Sequence, residues 1–178
     1  NRFFAEIDNH AQRIVKDGNV LDIANTVWAC ATLQIKTPKL FAQVEKHSTR
    51  FVKESDSQAV ANTVWALASL DTESPKLFSV VDRRIPWLFG GCRSSQEISN
   101  IAWAFGKFRI ASQKVFSETD QRSKWIFNDG NEQTIANIAL AFASTGYPAP
   151  NFFDTLQGNI DKISSSSNLQ SVANICYA

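Results

Sequence analysis

Ser57-Gln58-Ala59-Val60-Ala61-Asn62-Thr63-Val64-Trp65-Ala66-Leu67-Ala68-Ser69-Leu70 reads as a helix with one apolar arc and one small or polar stripe. Val60, Val64 and Leu67 recur at helical spacing. Ala59, Ala66 and Ser69 fall within about 60° of Asn62 on a wheel of 100° per residue. The same pattern returns as Ala24-Asn25-Thr26-Val27-Trp28-Ala29, Ser99-Asn100-Ile101-Ala102-Trp103-Ala104, Ala136-Asn137-Ile138-Ala139-Leu140-Ala141 and Ala173-Asn174-Ile175-Cys176-Tyr177-Ala178. The asparagines at 25, 62, 100, 137 and 174 are spaced by 37, 38, 37 and 37 residues. A fixed period in this range means a repeat architecture, in which each unit buries its apolar face only against its neighbours.

Each repeat reads as a helical hairpin. Polar caps such as Ser55-Asp56-Ser57, Ser94-Ser95, Asn131 and Asn168 announce the first helix. The second opens at Thr37-Pro38, Ser74-Pro75 or Ser112-Gln113, with Pro150 in the same place in the fourth copy, because proline costs nothing where the N–H has no helical partner. Phe4, Phe41, Phe78, Phe116 and Phe153 mark its register. Pro86 predicts a kink or early end in the third of these helices, and Gly90-Gly91 closes it. The expected fold is all-α, a right-handed α-solenoid of about five helix-turn-helix repeats, forming a single array over residues 1–178. Both ends cut through a repeat, which leads us to expect a fragment of a longer protein with any targeting segment out of view.

Bulk composition narrows the function. Eighteen basic against seventeen acidic residues, a net charge of +1, exclude a strongly cationic glove for nucleic acid, so any phosphate binding depends on where the charges sit. Cys30, Cys92 and Cys176 are too few and scattered for a disulfide framework or a metal site, and a reducing compartment fits them best. No stretch approaches the roughly 20 apolar residues of a membrane-spanning helix. His10 and His47 stand alone, and P-loop, dinucleotide and metal-ligand motifs are absent from the sequence. No enzyme, metal or cofactor is expected.

The Asn62–Trp65 tract, its period and the Pro-Lys-Leu-Phe start of the following helix resemble the octotricopeptide repeat family and the related heptatricopeptide and FASTK-type arrays. The resemblance covers essentially the whole chain; Leu140 for Trp and Ala149 for the hydroxyl cap depart from it. It implies a chloroplast or mitochondrial protein that binds single-stranded RNA and acts in transcript stability, processing or translation. The alternative is an architectural subunit of a large organellar complex that uses the same surface for protein.

Three rows are candidates for contact. Arg2, Lys39, Lys76 and Lys114 stand two residues before the marker phenylalanines, in the first turn of the second helix. The helix dipole disfavours a cation there, so the row suggests an anion outside, seated with the free N–H groups as an RNA phosphate would be. The equally simple reading is a solvated lysine. Asp22, Ala59, Glu97, Thr134 and Ser171 vary between copies and are the candidates to face bases, since a residue identical in every copy reads no sequence. Asn25, Asn62, Asn100, Asn137 and Asn174 form either a structural ladder between repeats or a generic contact. The aromatic row Trp28, Trp65, Trp103 and Tyr177 is expected to be inter-repeat core more than a stacking platform.

Overall fold

The computed structural model describes residues 2–160, and those residues form helices joined by short turns, with no strand among them. Two compact units divide the chain at Gly91. The first holds α1 (Arg2–Asn9), α2 (Ala11–Asp17), α3 (Val20–Thr32), α4 (Pro38–Lys46), α5 (Ser48–Glu54), α6 (Ser57–Ser69) and α7 (Pro75–Gly91). The second holds α8 (Ser95–Lys107), α9 (Gln113–Gln121), α10 (Ser123–Asp129), α11 (Glu132–Thr145) and α12 (Pro150–Gly158). In each unit equivalent helices pair: α3 lies along α6, and α8 along α11, while α4 and α5 pack on α7, and α9 and α10 on α12. The all-α expectation therefore stands as paired helix packing within two units.

The first helices of the copies, α3, α6, α8 and α11, begin where the polar residues predict. Asn19, Asp56 and Asn131 accept hydrogen bonds from the N–H groups of Leu21, Ala59 and Thr134 at 2.8–2.9 Å. Ser94 does not cap α8; Asp129 takes the Ser95 N–H at 2.7 Å instead, and the Ser95 donors hold that carboxyl below the usual carboxylate range. The small stripe makes close pairing possible. A Cβ on Gly106 of α8 would lie 2.6 Å from the Ala141 Cα of α11, so only glycine fits there.

All four helices end alike. Gln34, Asp71, Arg109 and Gly146, each nine residues after the repeated asparagine, have φ of 55°, 50°, 53° and 69°. The N–H of the following residue returns to a carbonyl five residues back, as in Ile35 to Cys30 at 2.9 Å, Thr72 to Leu67 at 2.9 Å, Ile110 to Phe105 at 2.9 Å and Tyr147 to Phe142 at 3.1 Å. This is the left-handed helix cap that glycine normally provides, and three of the four copies build it without glycine. A left-handed side chain costs about 1–2 kcal/mol, and glycine returns part of that as unfolded-state entropy. Arg109→Gly is thus expected to stabilise the second unit by about 0.5–1 kcal/mol in chemical denaturation, whereas Arg109→Ala keeps the strain and gains nothing.

The second helices depart from expectation. They break six residues after the marker phenylalanine, at His10, His47 and Arg122, where ψ is 9–16°. The copy carrying Pro86 instead runs unbroken from Pro75 to Gly91. Pro86 falls two residues past the break register, in the first turn of what is a new helix in the other copies. Inside α7 it removes one i→i−4 hydrogen bond without ending the helix.

Candidate nucleic-acid interface

Three of the second-helix starts expected to be free for phosphate, those of α4, α7 and α12, are occupied. Asp8 Oδ1 accepts the Leu40 N–H at 3.0 Å. The Glu45 carboxylate takes the N–H groups of Lys76 at 2.8 Å and Leu77 at 3.0 Å. Asp120 takes the Phe152 N–H at 2.8 Å and the Asn151 amide at 2.7 Å. Each carboxylate comes from the preceding copy, four residues past its marker phenylalanine, and supplies the negative charge that a helix N-terminus favours. The lysines run the other way: Lys39 Nζ donates to Asn9 Oδ1 at 3.0 Å, and Lys76 Nζ to the Lys46 carbonyl at 2.8 Å. Lys76 thus satisfies the C-terminal end of α4, which explains a cation placed against its own helix dipole. Arg2 and Lys114 are exposed. Lys39 and Lys76 thereby brace copy to copy, and the amide half of the phosphate seat is spent.

The variable stripe does not form an open face. Asp22 is exposed, but Ala59, Glu97 and Thr134 are buried. Glu97 Oε1 accepts the Arg93 N–H at 3.2 Å, and the Thr134 hydroxyl and N–H both reach Asn131. A stripe of small residues on a wheel marks where another helix approaches closely, and the stripe here lies in the helix pairing rather than facing a ligand. Ser171 and Asn174 lie outside the described residues.

The asparagine ladder has the character the other two rows lack. Asn25 is exposed, and Asn62, Asn100 and Asn137 are half-buried. None of their side chains hydrogen-bonds to a described residue, so they do not tie repeat to repeat. The hydroxyls beside them fold back on their own helices: Thr26 donates to the Asp22 carbonyl, Thr32 to Trp28 and Ser69 to Trp65. Trp28, three residues after Asn25 on the same face, is 45% exposed, and Trp65, Trp103 and Leu140 are half-buried. The described members of the aromatic row therefore border the open face instead of filling the core expected from their spacing, and Tyr177 lies outside the described residues. Along the α3–α6 pair, Asn25, Trp28, Asn62 and Trp65 present amide donors and acceptors beside indole rings.

The remaining reactive groups have structural employment. Cys30 is buried, accepts a hydrogen bond from the Thr37 hydroxyl at 3.6 Å, and burial pushes its thiol pKa up, away from the nucleophilic thiolate. Arg50 donates to the carbonyls of Val15, Lys16 and Gly18 at 2.5–3.0 Å and closes the C-terminal end of α2. Among the described residues no group of three or more His, Cys, Asp or Glu side chains is placed to hold a metal ion, and no helix is long and apolar enough to cross a membrane.

Residues 1–177 match the model of one protein family, described as RESC6, RNA-editing substrate-binding complex 6 protein. No curated protein matches the chain. The family match overturns the octotricopeptide, heptatricopeptide and FASTK-type resemblance. The small residues that carried much of that resemblance serve close helix pairing, a demand shared by helical stacks of different descent.

Proposed function

The chain belongs to the RNA-editing substrate-binding complex 6 protein family, and from that premise we propose that it is a non-enzymatic, cofactor-free mitochondrial subunit that contacts single-stranded RNA. The family's complex is mitochondrial, which favours that organelle over the chloroplast. The contact surface is the asparagine–tryptophan ladder of the first helices, and the copies are read as one α-solenoid that repeats it. One contrast carries the reading. Asp8, Glu45, Asp120, Lys39 and Lys76 are all taken up by braces between copies, whereas the side chains of the equally repeated Asn25, Asn62, Asn100 and Asn137 have no hydrogen-bond partner among the described residues. An invariant amide beside an indole suits features common to all nucleotides, so the binding is sequence-tolerant, by hydrogen bonds and stacking.

Replacing Asn25 and Asn62 together by Ala is expected to keep the helices, since Ala is the better helix former. It should weaken binding of single-stranded RNA by roughly five- to a hundredfold, at about 0.5–1.5 kcal/mol per lost hydrogen bond. Fluorescence anisotropy with a labelled oligonucleotide reads the change. Leu21, Trp28 and Leu33, all exposed along α3 and its end, favour a second reading as an architectural subunit docking protein. Unchanged RNA affinity in the double variant, with loss of copurifying subunits, selects that reading.

A further inference from the structure

The second helix of the second copy, α7, has an outer face unlike those of its counterparts. Leu77, Val81, Ile85 and Leu88 of α7 are fully buried, which leaves Arg83, Trp87 and Gly90 exposed along one side at i, i+4 and i+7. Trp87 is 52% exposed. At the same register the first copy has Arg50, whose guanidinium is spent on the carbonyls ending α2; Trp87 has no such duty. The Arg84 guanidinium carbon lies 4.3 Å from the Trp87 ring centroid, held there although its Nε is buried without a hydrogen-bond partner. A Cβ on Gly90 would meet nothing within 4 Å, so the space beside the indole is open. The sole acid of α7, Asp82, is half-buried, and Glu54 on the adjoining α5 is paired with Arg50.

We propose that Trp87, backed by Arg84, is a stacking platform for an unpaired base of single-stranded RNA, with Arg83 set to take the neighbouring phosphate. A cation over one part of an indole leaves its remaining surface for a base, and the acid-free face does not repel the phosphate. Arg83 Nη1 donates to the Ser79 hydroxyl at 3.2 Å, which leaves its other donors for an anion. The second unit carries the same pairing in sequence, Arg122 and Trp125, the latter 37% exposed, but the Glu118 carboxylate binds the Arg122 guanidinium and offsets its charge. Trp87 is thus the stronger of the two platforms. The proposal rests on the RNA reading above but uses a separate surface, on a second helix.

The test compares the full chain with its Trp87→Ala and Trp87→Phe variants on two probes, an oligouridylate and an abasic oligonucleotide of equal length. Trp87→Ala should weaken oligouridylate binding by about five- to a hundredfold and leave abasic binding unchanged, while Trp87→Phe keeps most of the affinity. Photocrosslinking of wild-type protein to a thiouridine oligonucleotide should give an adduct on the Trp87 peptide, a readout independent of how the variants fold. Equal losses on both probes, or no adduct at Trp87, overturn the platform. If Trp87→Ala binds normally while the Asn25/Asn62 variant does not, the platform falls and the RNA reading survives; no binding by wild-type protein removes both. Unchanged RNA affinity with loss of copurifying subunits assigns Trp87 to a protein contact and overturns the proposal.

Discussion

Phe142→Ala should cost the second unit about 3–5 kcal/mol, the range for deleting a fully buried aromatic ring. Phe142 has no exposed surface and is the hub of an aromatic cluster. Its ring centroid lies 5.7 Å from Phe116, 5.2 Å from Phe152 and 5.7 Å from Tyr147, the last in a stacked arrangement. Such pairs add about 0.5–1.5 kcal/mol beyond the area they bury. These partners come from α9, from α12 and from the turn after α11, so one truncation loosens three parts of the unit. Because the chain forms two compact units, a single unfolding transition is not assured. The measurement is therefore hydrogen exchange resolved by residue, with lost protection expected across α9, α11 and α12. A loss below about 1 kcal/mol would mean that the cluster is not the core of this unit.

Asp120→Ala should cost about 2–4 kcal/mol, more than an ordinary charge removal, because the carboxylate is nearly buried and serves two donors of the next copy. Hydrogen bonds to a charged group contribute about 1.5–3 kcal/mol, and the deletion leaves the buried Phe152 N–H unsatisfied. The positive end of the α12 dipole also loses its counter-charge. Asp120→Asn keeps an oxygen for the Phe152 N–H and should recover part of the loss. Asn151→Ala, which removes only an exposed donor, should cost well under 1 kcal/mol. Exchange protection at the Phe152 amide follows the series, and equal stability of all three variants would refute a brace between copies.

The repeated asparagines and phenylalanines made the helical hairpin legible, because helical periodicity and cap chemistry are local properties of the chain. Asp56 and Asn131 cap as their positions predict, and Asn19 does the same for α3. The left-handed caps at Gln34, Asp71 and Arg109 were hidden, since side chains that rarely adopt that backbone hold it here through the surrounding helix end. The break at His47 and its absence at Pro86 ran opposite to the usual signals: α7 continues through Pro86 although a proline there removes one helical hydrogen bond.

By itself the sequence determined an all-α repeat and its register, because period and pattern are carried along the chain, whereas the family its small residues suggested was the wrong one. Only the tertiary structure decided which repeated residues are free to meet a partner. Lys39 and Lys76 look like anion seats until the preceding copy's C-terminal amide and carbonyl are beside them, and Ala59, Glu97 and Thr134 look outward until helices pair over them. Asn25, Asn62, Asn100 and Asn137 show the reverse, a ladder that reads as structural and whose side chains have no hydrogen-bond partner among the described residues. A wheel gives the direction of a side chain about its own axis, whereas burial and pairing depend on what another segment brings to that side.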